Sequence, residues 1–266
     1  MNDWLHCTRS NPCPICQKPD WCCIGQRFVN CMRIASEHPC KNGGWLHSTG
    51  STMELRPLPR RPGRVAKIDA PSLMQGFDRE TTVGMIEQLA FELGVSADSL
   101  EAIGAAWAFG HGAWAYPMRD WRGSTIGVRL RDHNGHKWAI TGSHAGLFYG
   151  EDKAHTVYIC EGPTDTAAAM TIGLCAIGRP SCRGCEEEVD KLIHRKGARV
   201  AVILADNDGP GYDGAQKLQT MLSVPSVIMV PPAKDIREFV HLGGTKKVIE
   251  SLARSLVWTQ PKTKEP

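Results

Sequence analysis

The pattern of apolar and polar residues divides the chain into five stretches. Residues 1–48 are rich in Cys, Trp and Gly and contain no long apolar period. Residues 49–71 are rich in Pro and Arg, and because proline interrupts helices we expect an extended linker there. Residues 72–150 and 151–260 carry the apolar periods of packed helices and strands. The polar end, 261–266, is predicted to be a disordered tail.

The stretch 72–150 begins with helical periods and continues with short strands. Within 79–93 apolar residues recur at i, i+3, i+4 and i+7 from Ile86, which predicts an amphipathic helix that ends at Gly94. A second helix is expected to start at Ser96. Three strands separated by turns should follow, over 113–118, 125–131 and 136–141. This stretch therefore predicts a small α+β subdomain.

The stretch 151–260 alternates between strand and helix. Apolar strands are predicted at 156–160, 200–204 and 226–230. Helices are predicted at 164–172, at 213–221 and from Asp235 onward. Such alternation is typical of an α/β domain with a doubly wound parallel sheet.

Acidic residues follow two of these apolar strands directly. Glu161 and Asp165 come after the first strand, and Asp206 and Asp208 come after the second. In an open parallel sheet the ligand crevice lies at the carboxyl ends of the strands, where these side chains would meet. Neighbouring carboxylates repel one another unless a cation lies between them, and Mg²⁺ (or Mn²⁺) prefers oxygen ligands. The pattern predicts a site for a divalent metal ion.

The distribution of charge predicts a phosphate-binding surface upstream of that site. Residues 111–150 carry 5 Lys and Arg against 2 Asp and Glu, whereas residues 71–110 carry 1 against 6. Arg129 and Arg131 would share one face of a strand, and Lys137 lies on the next strand. These three side chains are candidates for contacts with nucleotide or nucleic-acid phosphates.

Cysteines predict a zinc site at the front of the chain. Seven of the 11 cysteines lie in the first 40 residues, and no secretion signal precedes them, so metal binding is favoured over disulfides. Cys13 and Cys16 form a Cys-x-x-Cys pair that can hold one tetrahedral zinc ion. The spacing leaves four candidates for the other ligands: Cys22, Cys23, Cys31 and Cys40.

The acidic motifs carry a family resemblance. The sequence Glu161-Gly-x-x-Asp165, followed by Asp206-x-Asp208-x-x-Gly211, resembles the Toprim signature of bacterial and phage primases, type IA and type II topoisomerases and some nucleases. The resemblance implies that Glu161 is a general acid/base or metal ligand and that Asp206 and Asp208 bind Mg²⁺.

Two further matches narrow the resemblance to primases. Residues 105–150 resemble the basic subdomain that precedes the Toprim fold in zinc-binding phage and plasmid primases, which implies that its basic side chains hold nucleotide phosphates and template. Lys234 and Asp235 match loosely the place where primases carry a further acidic residue, and with Asp165 they complete the expected nucleotide-binding set. At the front of the chain, the resemblance favours Cys22 and Cys31 as the remaining zinc ligands, with Cys23 and Cys40 as alternatives.

The resemblance implies a DNA primase that makes short RNA primers on single-stranded DNA from ribonucleoside triphosphates. The chain has no Gly-x-x-x-x-Gly-Lys-[Ser/Thr] loop, so a helicase partner would act in trans. Two rivals are a non-catalytic zinc-finger and Toprim protein that binds nucleic acid, and a Toprim nuclease. A topoisomerase is least favoured, since the chain has only 4 tyrosines and is too short for a strand-passing gate. No apolar run is long enough to span a membrane, and a cytoplasmic location is expected.

Overall fold

The computed structural model describes residues 4–40, 43–49 and 68–261. Most of the predicted linker and the predicted tail from residue 262 lie outside the described residues. The chain divides into two compact units, Met1–Arg64 and Val65–Pro266. Among the described residues, no helix is both long and apolar enough to cross a membrane.

The first unit contains a small antiparallel sheet. Its four strands pair in chain order: β1 (Leu5–His6), β2 (Cys23–Ile24), β3 (Phe28–Cys31) and β4 (Trp45–Ser48). The buried hydrophobic residues in the described part of this unit are Cys7, Cys13, Cys22, Ile24, Val29 and Cys31. Since four of these six are cysteines, apolar burial supplies little of the folding free energy, and a bound metal ion is the natural supplement.

The second unit starts with three helices: α1 (Ala70–Glu80), α2 (Val83–Leu93) and α3 (Ala97–Ile103). Side chains of Asp69, Thr82 and Ser96 accept hydrogen bonds from the first turns as N-caps. Gly94 ends α2 with φ +67°, a left-handed conformation that glycine adopts without strain, as predicted. The helix α1 was not predicted, because Pro71 indicated a linker. A proline in the first helical turn removes no hydrogen bond, so it is compatible with a helix start.

An antiparallel sheet follows the helices. Its strands pair in the order β5 (Ala106–Ala108), β6 (Ala113–Arg119), β7 (Thr125–Arg131) and β8 (Lys137–Ala139). Burial alternates along the end of β7, where Val128 and Leu130 are buried and Arg129 and Arg131 are half-buried on the opposite side. This alternation directs both arginines away from the core of the subdomain.

The doubly wound parallel sheet predicted for the end of the chain is confirmed. Its strand order is β13-β12-β10-β11-β9, with β9 antiparallel and the other four parallel. The strands are β9 (Phe148–Tyr149), β10 (Thr156–Glu161), β11 (Ala176–Arg179), β12 (Val200–Leu204) and β13 (Ser226–Met229). The helices are α4 (Gly162–Thr171), α5 (Glu186–Arg195), α6 (Gly209–Gln219), α7 (Ile236–His241) and α8 (Lys246–Ser255).

Both faces of this sheet are covered. Val157 and Ile159 of β10 pack in the apolar cluster that includes α5 and α6, whereas Tyr158 and Cys160 pack in the cluster that includes α7 and α8. Four of these strands and helices, β9, β11, α5 and α8, were not predicted. The strand β11 has only 4 residues and ends in Arg179, so it lacks the apolar run that marked the other strands.

Close packing of β11 against α4 predicts that Gly178→Ala destabilises the second unit. A Cβ at Gly178 would collide with Thr166 Oγ1 and lie 2.8 Å from the carbonyl oxygen of Gly162, which is fixed backbone. We expect a loss of about 1–3 kcal/mol in the free energy of unfolding, measured by urea denaturation. Gly76→Ala is the control, because nothing lies within 4 Å of a Cβ there and alanine favours the helix α1. Equal stability of the two variants would contradict the packing argument.

Candidate active site and metal sites

Four cysteines of the first unit form a cluster that fits a zinc ion. The Sγ atoms of Cys13, Cys16, Cys22 and Cys31 all lie within 4.8 Å of one another. The Cys16 and Cys22 sulfurs are 3.7 Å apart, close to the roughly 3.8 Å edge of a tetrahedron with Zn–S bonds of about 2.3 Å. The alternatives Cys23 and Cys40 are outside this cluster. Cys23 instead contacts His6 Nδ1 at 3.4 Å.

Backbone groups around the four cysteines favour thiolates. The Met32 amide donates to Cys22 Sγ at 3.3 Å, and the Ile34 amide donates to Cys31 Sγ at 3.4 Å. Burial acts to raise the pKa of Cys16, but the Lys18 amide and the neighbouring thiols lower that pKa to about 7. Burial raises the pKa values of Cys13 and Cys22, so without a metal ion Cys16 is the member of the cluster that ionises most readily among these three. A thiol that ionises near neutral pH, beside amides that donate to sulfur, suits a metal that binds thiolates.

The predicted acidic residues of the second unit converge at the carboxyl edge of the parallel sheet. Glu161 ends β10 and precedes α4, and Asp165 lies in the first turn of α4. Asp206 follows β12, Asp208 caps α6 and Asp235 caps α7. The structure thus brings together one acidic side chain or more from each of three strand ends, those of β10, β12 and β13.

The shifted pKa values of these carboxylates indicate that they lie close enough to repel one another. Burial, then repulsion from Asp206, raises the pKa of Glu161 to about 7. Burial, Asp235 and Asp208 raise the pKa of Asp206 to about 6. Burial, Asp235 and Asp206 raise the pKa of Asp165 to about 7. Mutual repulsion of this kind is relieved when a cation enters the site.

The carboxylates have oxygens available for a metal ion. Asp208 Oδ1 accepts the Gly211 amide at 2.7 Å, and Asp235 Oδ1 accepts the Glu238 amide at 2.7 Å, so each cap uses one oxygen. Within 68–261, neither the Glu161 nor the Asp206 carboxylate forms a hydrogen bond or ion pair. Among all described residues, only the four cysteines bring three or more ligand atoms within 4.8 Å of one another. The acidic site is therefore open in the sense that the described residues provide no compact set of three ligand atoms there, which suits Mg²⁺ because it keeps several waters and binds substrate phosphates.

The predicted basic residues differ in their surroundings. Lys137 is exposed, and its charge lowers the pKa values of Glu161, Asp165 and Asp206. The charge of Lys234 also lowers the pKa of Asp206. Arg129 is half-buried, and that burial lowers its pKa.

Arg131 has a contact that its predicted role did not include. Its Nη1 group donates to Thr164 Oγ1 at 2.9 Å, and Thr164 is buried in the first turn of α4. The side chain therefore connects the basic strand β7 to the helix that follows Glu161. Because Nη1 donates to Thr164, fewer N–H groups of the Arg131 guanidinium remain to bind a phosphate.

Two arginines near the acidic site were missed in the sequence. Arg179 ends β11 beside Glu161, and its charge lowers the pKa of Glu161. The charge of Arg237, in the first turn of α7, lowers the pKa of Asp165. The available signal for Arg237 was a cation two residues after Asp235, whereas Arg179 ends a short strand and gave no such signal.

The fold is that of the catalytic cores of DnaG-type primases. A DnaG primase catalytic domain bound to single-stranded DNA matches with a TM-score of 0.57 and 16% identity, over 70% of this chain and 78% of that chain. The Aquifex aeolicus primase fragment with zinc-binding and RNA polymerase domains matches with a TM-score of 0.58 and 14% identity, over 71% and 60%. The E. coli primase catalytic core matches with a TM-score of 0.56 and 15% identity, over 71% and 79%.

Sequence comparison adds one relative. The Gene 57 protein of Mycobacterium phage D29 is 26% identical over 144 residues, which cover 51% of this chain and 91% of that protein. No protein-family model matches the chain. At these identities the structural likenesses establish a Toprim-type primase-core fold and no more. The four-cysteine cluster that fits zinc is a separate observation.

The cysteine cluster predicts that Cys22→Ser removes zinc from the chain. Loss of one thiolate of four should abolish stoichiometric zinc, measured by atomic emission on the purified protein, and should unfold the first unit. Cys23→Ser is the matched control, because its sulfur is the next in the chain and lies outside the cluster. Zinc loss in Cys23→Ser with zinc retained in Cys22→Ser would exchange the two assignments.

The raised carboxyl pKa values predict that stabilisation by Mg²⁺ grows with pH. Between about pH 4 and pH 7 the folded chain holds protons on Glu161 and Asp206 that an unfolded chain has released, so metal-free stability falls as pH rises. Mg²⁺ binds the deprotonated groups. It should therefore raise the thermal midpoint by a few degrees at about pH 8 and much less at about pH 5.5. Equal shifts at both pH values, or an equal shift in Glu161→Gln with Asp206→Asn, would contradict this.

Proposed function

We propose that the chain is a DNA primase that synthesises short RNA primers on single-stranded DNA by metal-dependent nucleotidyl transfer. The observation that carries the proposal is the open acidic site, in which carboxylates from three strand ends repel one another on a primase-core fold. The zinc-binding unit at 1–48, the linker at 49–71, the basic subdomain at 72–150 and the Toprim domain at 151–260 are the proposed working parts.

The residues of the acidic site would hold Mg²⁺ or Mn²⁺. Glu161, Asp206 and the free oxygen of Asp208 supply oxygen ligands, and Asp165 and Asp235 add negative charge behind them. When bound, the metal ion would activate a 3′-hydroxyl and neutralise the charge of the departing pyrophosphate. No protein covalent intermediate is needed for this reaction, so positioning and charge are the contributions of the chain.

The basic side chains would orient the substrates. Lys137 is exposed beside the carboxylates, where its ammonium can bind the phosphates of an incoming ribonucleoside triphosphate. Lys234 is likewise exposed and acts on Asp206. Arg129 lies on β7, and its guanidinium forms no hydrogen bond or ion pair with the residues that the structure describes, so it can contact template or nucleotide. Arg131 contributes by fixing β7 to α4.

The zinc-binding unit would contribute contacts with unpaired template bases. Trp21 is 74% exposed, and the guanidinium carbon of Arg33 lies 5.3 Å from its ring centroid. An exposed aromatic ring can stack on an unpaired base, whereas the Arg33 guanidinium is already paired with Asp20 at 2.6 Å. A helicase acting in trans would supply unwound template.

Replacing Asp206 and Asp208 with Ala should abolish primer synthesis while single-stranded DNA binding is retained. These two side chains hold the metal, whereas template contacts come from basic and aromatic groups elsewhere. We expect a fall of more than about 10³-fold in primer yield, by analogy with other losses of catalytic charge stabilisation, measured with labelled ribonucleotides on random templates. Asp213→Ala is the matched control, since Asp213 is an exposed carboxylate of α6.

The same assay separates the rival functions. A wild-type chain that binds single-stranded DNA but makes no primer with Mg²⁺ or Mn²⁺ would be a non-catalytic binding protein. Cleavage of labelled DNA or RNA without ribonucleotides, lost in the Asp206 and Asp208 variant, would identify a Toprim nuclease. Primer synthesis that survived the double substitution would overturn the assignment of the catalytic residues.

A further inference from the structure

Arg179 is a buried cation whose donors are not used. The residue ends β11 and is only 2% exposed. Its Nε and Nη1 groups have no hydrogen-bond partner within the part of the chain that the structure describes. Leaving buried donors of a charged group unpaired is unfavourable, so their position points to an acceptor nearby.

Two carboxylates act on the charge of Arg179, and one of them is already committed. The charges of Glu161 and Glu186 both act to raise the pKa of Arg179, against the effect of burial. Glu186 Oε1 accepts the Gly184 amide at 3.1 Å and lies 3.2 Å from Lys217 Nζ. Glu161 has no such partners among the described residues. Of the two carboxylates, Glu161 therefore has lone pairs still available to Arg179, and in this structure the two side chains form neither a hydrogen bond nor an ion pair.

The strand register makes this pairing possible. Glu161 and Arg179 are partners in the parallel pair of β10 and β11, so they are neighbours across the sheet and project to the same face. Each is the last residue of its strand. Arg179 therefore approaches Glu161 from the β11 side, whereas Asp206 approaches from β12 on the other side of β10.

We propose that Arg179 is a positioning residue: its guanidinium, which forms no ion pair with Glu161 in this structure, turns to the Glu161 carboxylate when the remaining lone pairs of that carboxylate bind a divalent cation shared with Asp206 and Asp208. The inference rests on the proposed metal site. A guanidinium presents two parallel donors that match a carboxylate, and a carboxylate offers about four lone-pair directions, so one side can bind arginine while the other binds metal. Partners that orient metal ligands in this way strengthen metal binding.

Binding of Mn²⁺ to the full chain, followed by electron paramagnetic resonance of the free ion, tests the proposal without using activity. Arg179→Met should weaken Mn²⁺ binding by about 10–100-fold, the usual effect of removing a group that orients a metal ligand. Arg179→Lys should recover part of that loss, because lysine keeps the charge but lacks the paired donors. Arg254→Met is the control, since that guanidinium is 78% exposed on α8, and it should bind Mn²⁺ as the wild type does.

A double-mutant cycle distinguishes positioning of Glu161 from a general structural role. In a Glu161→Gln background, Arg179→Met should change Mn²⁺ binding by less than about 2-fold, because the charged carboxylate that Arg179 orients is gone. Wild-type affinity in the folded Arg179→Met variant would overturn the proposal, as would an undiminished loss in the Glu161→Gln background. Thermal unfolding reports on folding, and if Arg179→Met does not fold, Arg179→Lys in the two backgrounds gives the same comparison.

A parallel priming assay keeps this result separate from the proposed function. If the wild type binds Mn²⁺ through the Arg179 and Glu161 pair but makes no primer, the inference stands and the primase proposal fails. If the wild type makes primers and Arg179→Met leaves Mn²⁺ binding unchanged, the primase proposal stands and the inference fails.

Discussion

Repulsion among the carboxylates at the carboxyl edge of the parallel sheet is the constraint on which the candidate active site depends. Glu161, Asp206 and Asp165 are half or fully buried; Asp206 raises the free energy of the ionised forms of Glu161 and Asp165, and Asp235 does the same to Asp165 and Asp206. A fold gains nothing in stability from such an arrangement unless a counter-charge is present. The protein supplies only part of that counter-charge, through cations such as Lys137, Arg179 and Arg237 at the rim and beneath the site. The counter-charge that the protein does not supply would come from an external cation bound in the site.

The sequence was sufficient to predict that the acidic side chains converge, because their positions follow directly from topology. Each acidic motif comes just after an apolar strand, and parallel strands bring their carboxyl ends to one edge. The zinc cluster was only partly predictable, since spacing alone did not choose among Cys22, Cys23, Cys31 and Cys40. The pairing of β2 with β3 decides the geometry: Cys23 and Asn30 are register partners, which turns Cys22 and Cys31 toward the other two ligands.

What the sequence did not reveal depends on contacts between distant segments. Arg131 was expected to bind phosphate, but its guanidinium donates a hydrogen bond to Thr164, which lies 33 residues further along the chain. Arg179 gave no pattern of its own, because its significance arises from the register of β11 against β10. The helix α1 and the strand β11 were missed for local reasons: a proline in a first helical turn resembles a linker, and 4 residues that end in arginine show little apolar period.

The two candidate metal sites follow opposite designs, and the difference bears on function. The cysteine site is closed, with four ligand atoms within 4.8 Å and backbone amides that donate to sulfur, so it leaves no position for a substrate. The acidic site is open, and Asp208 and Asp235 each use one carboxylate oxygen to cap a helix, α6 and α7 respectively. Capping fixes the directions of Asp208 and Asp235 through the backbone, whereas Glu161 has no equivalent restraint from α4, because its side chain makes no cap hydrogen bond. A metal site of uniform rigidity therefore requires another group to hold Glu161, and the buried end of β11 supplies the one guanidinium that is its register partner across the sheet.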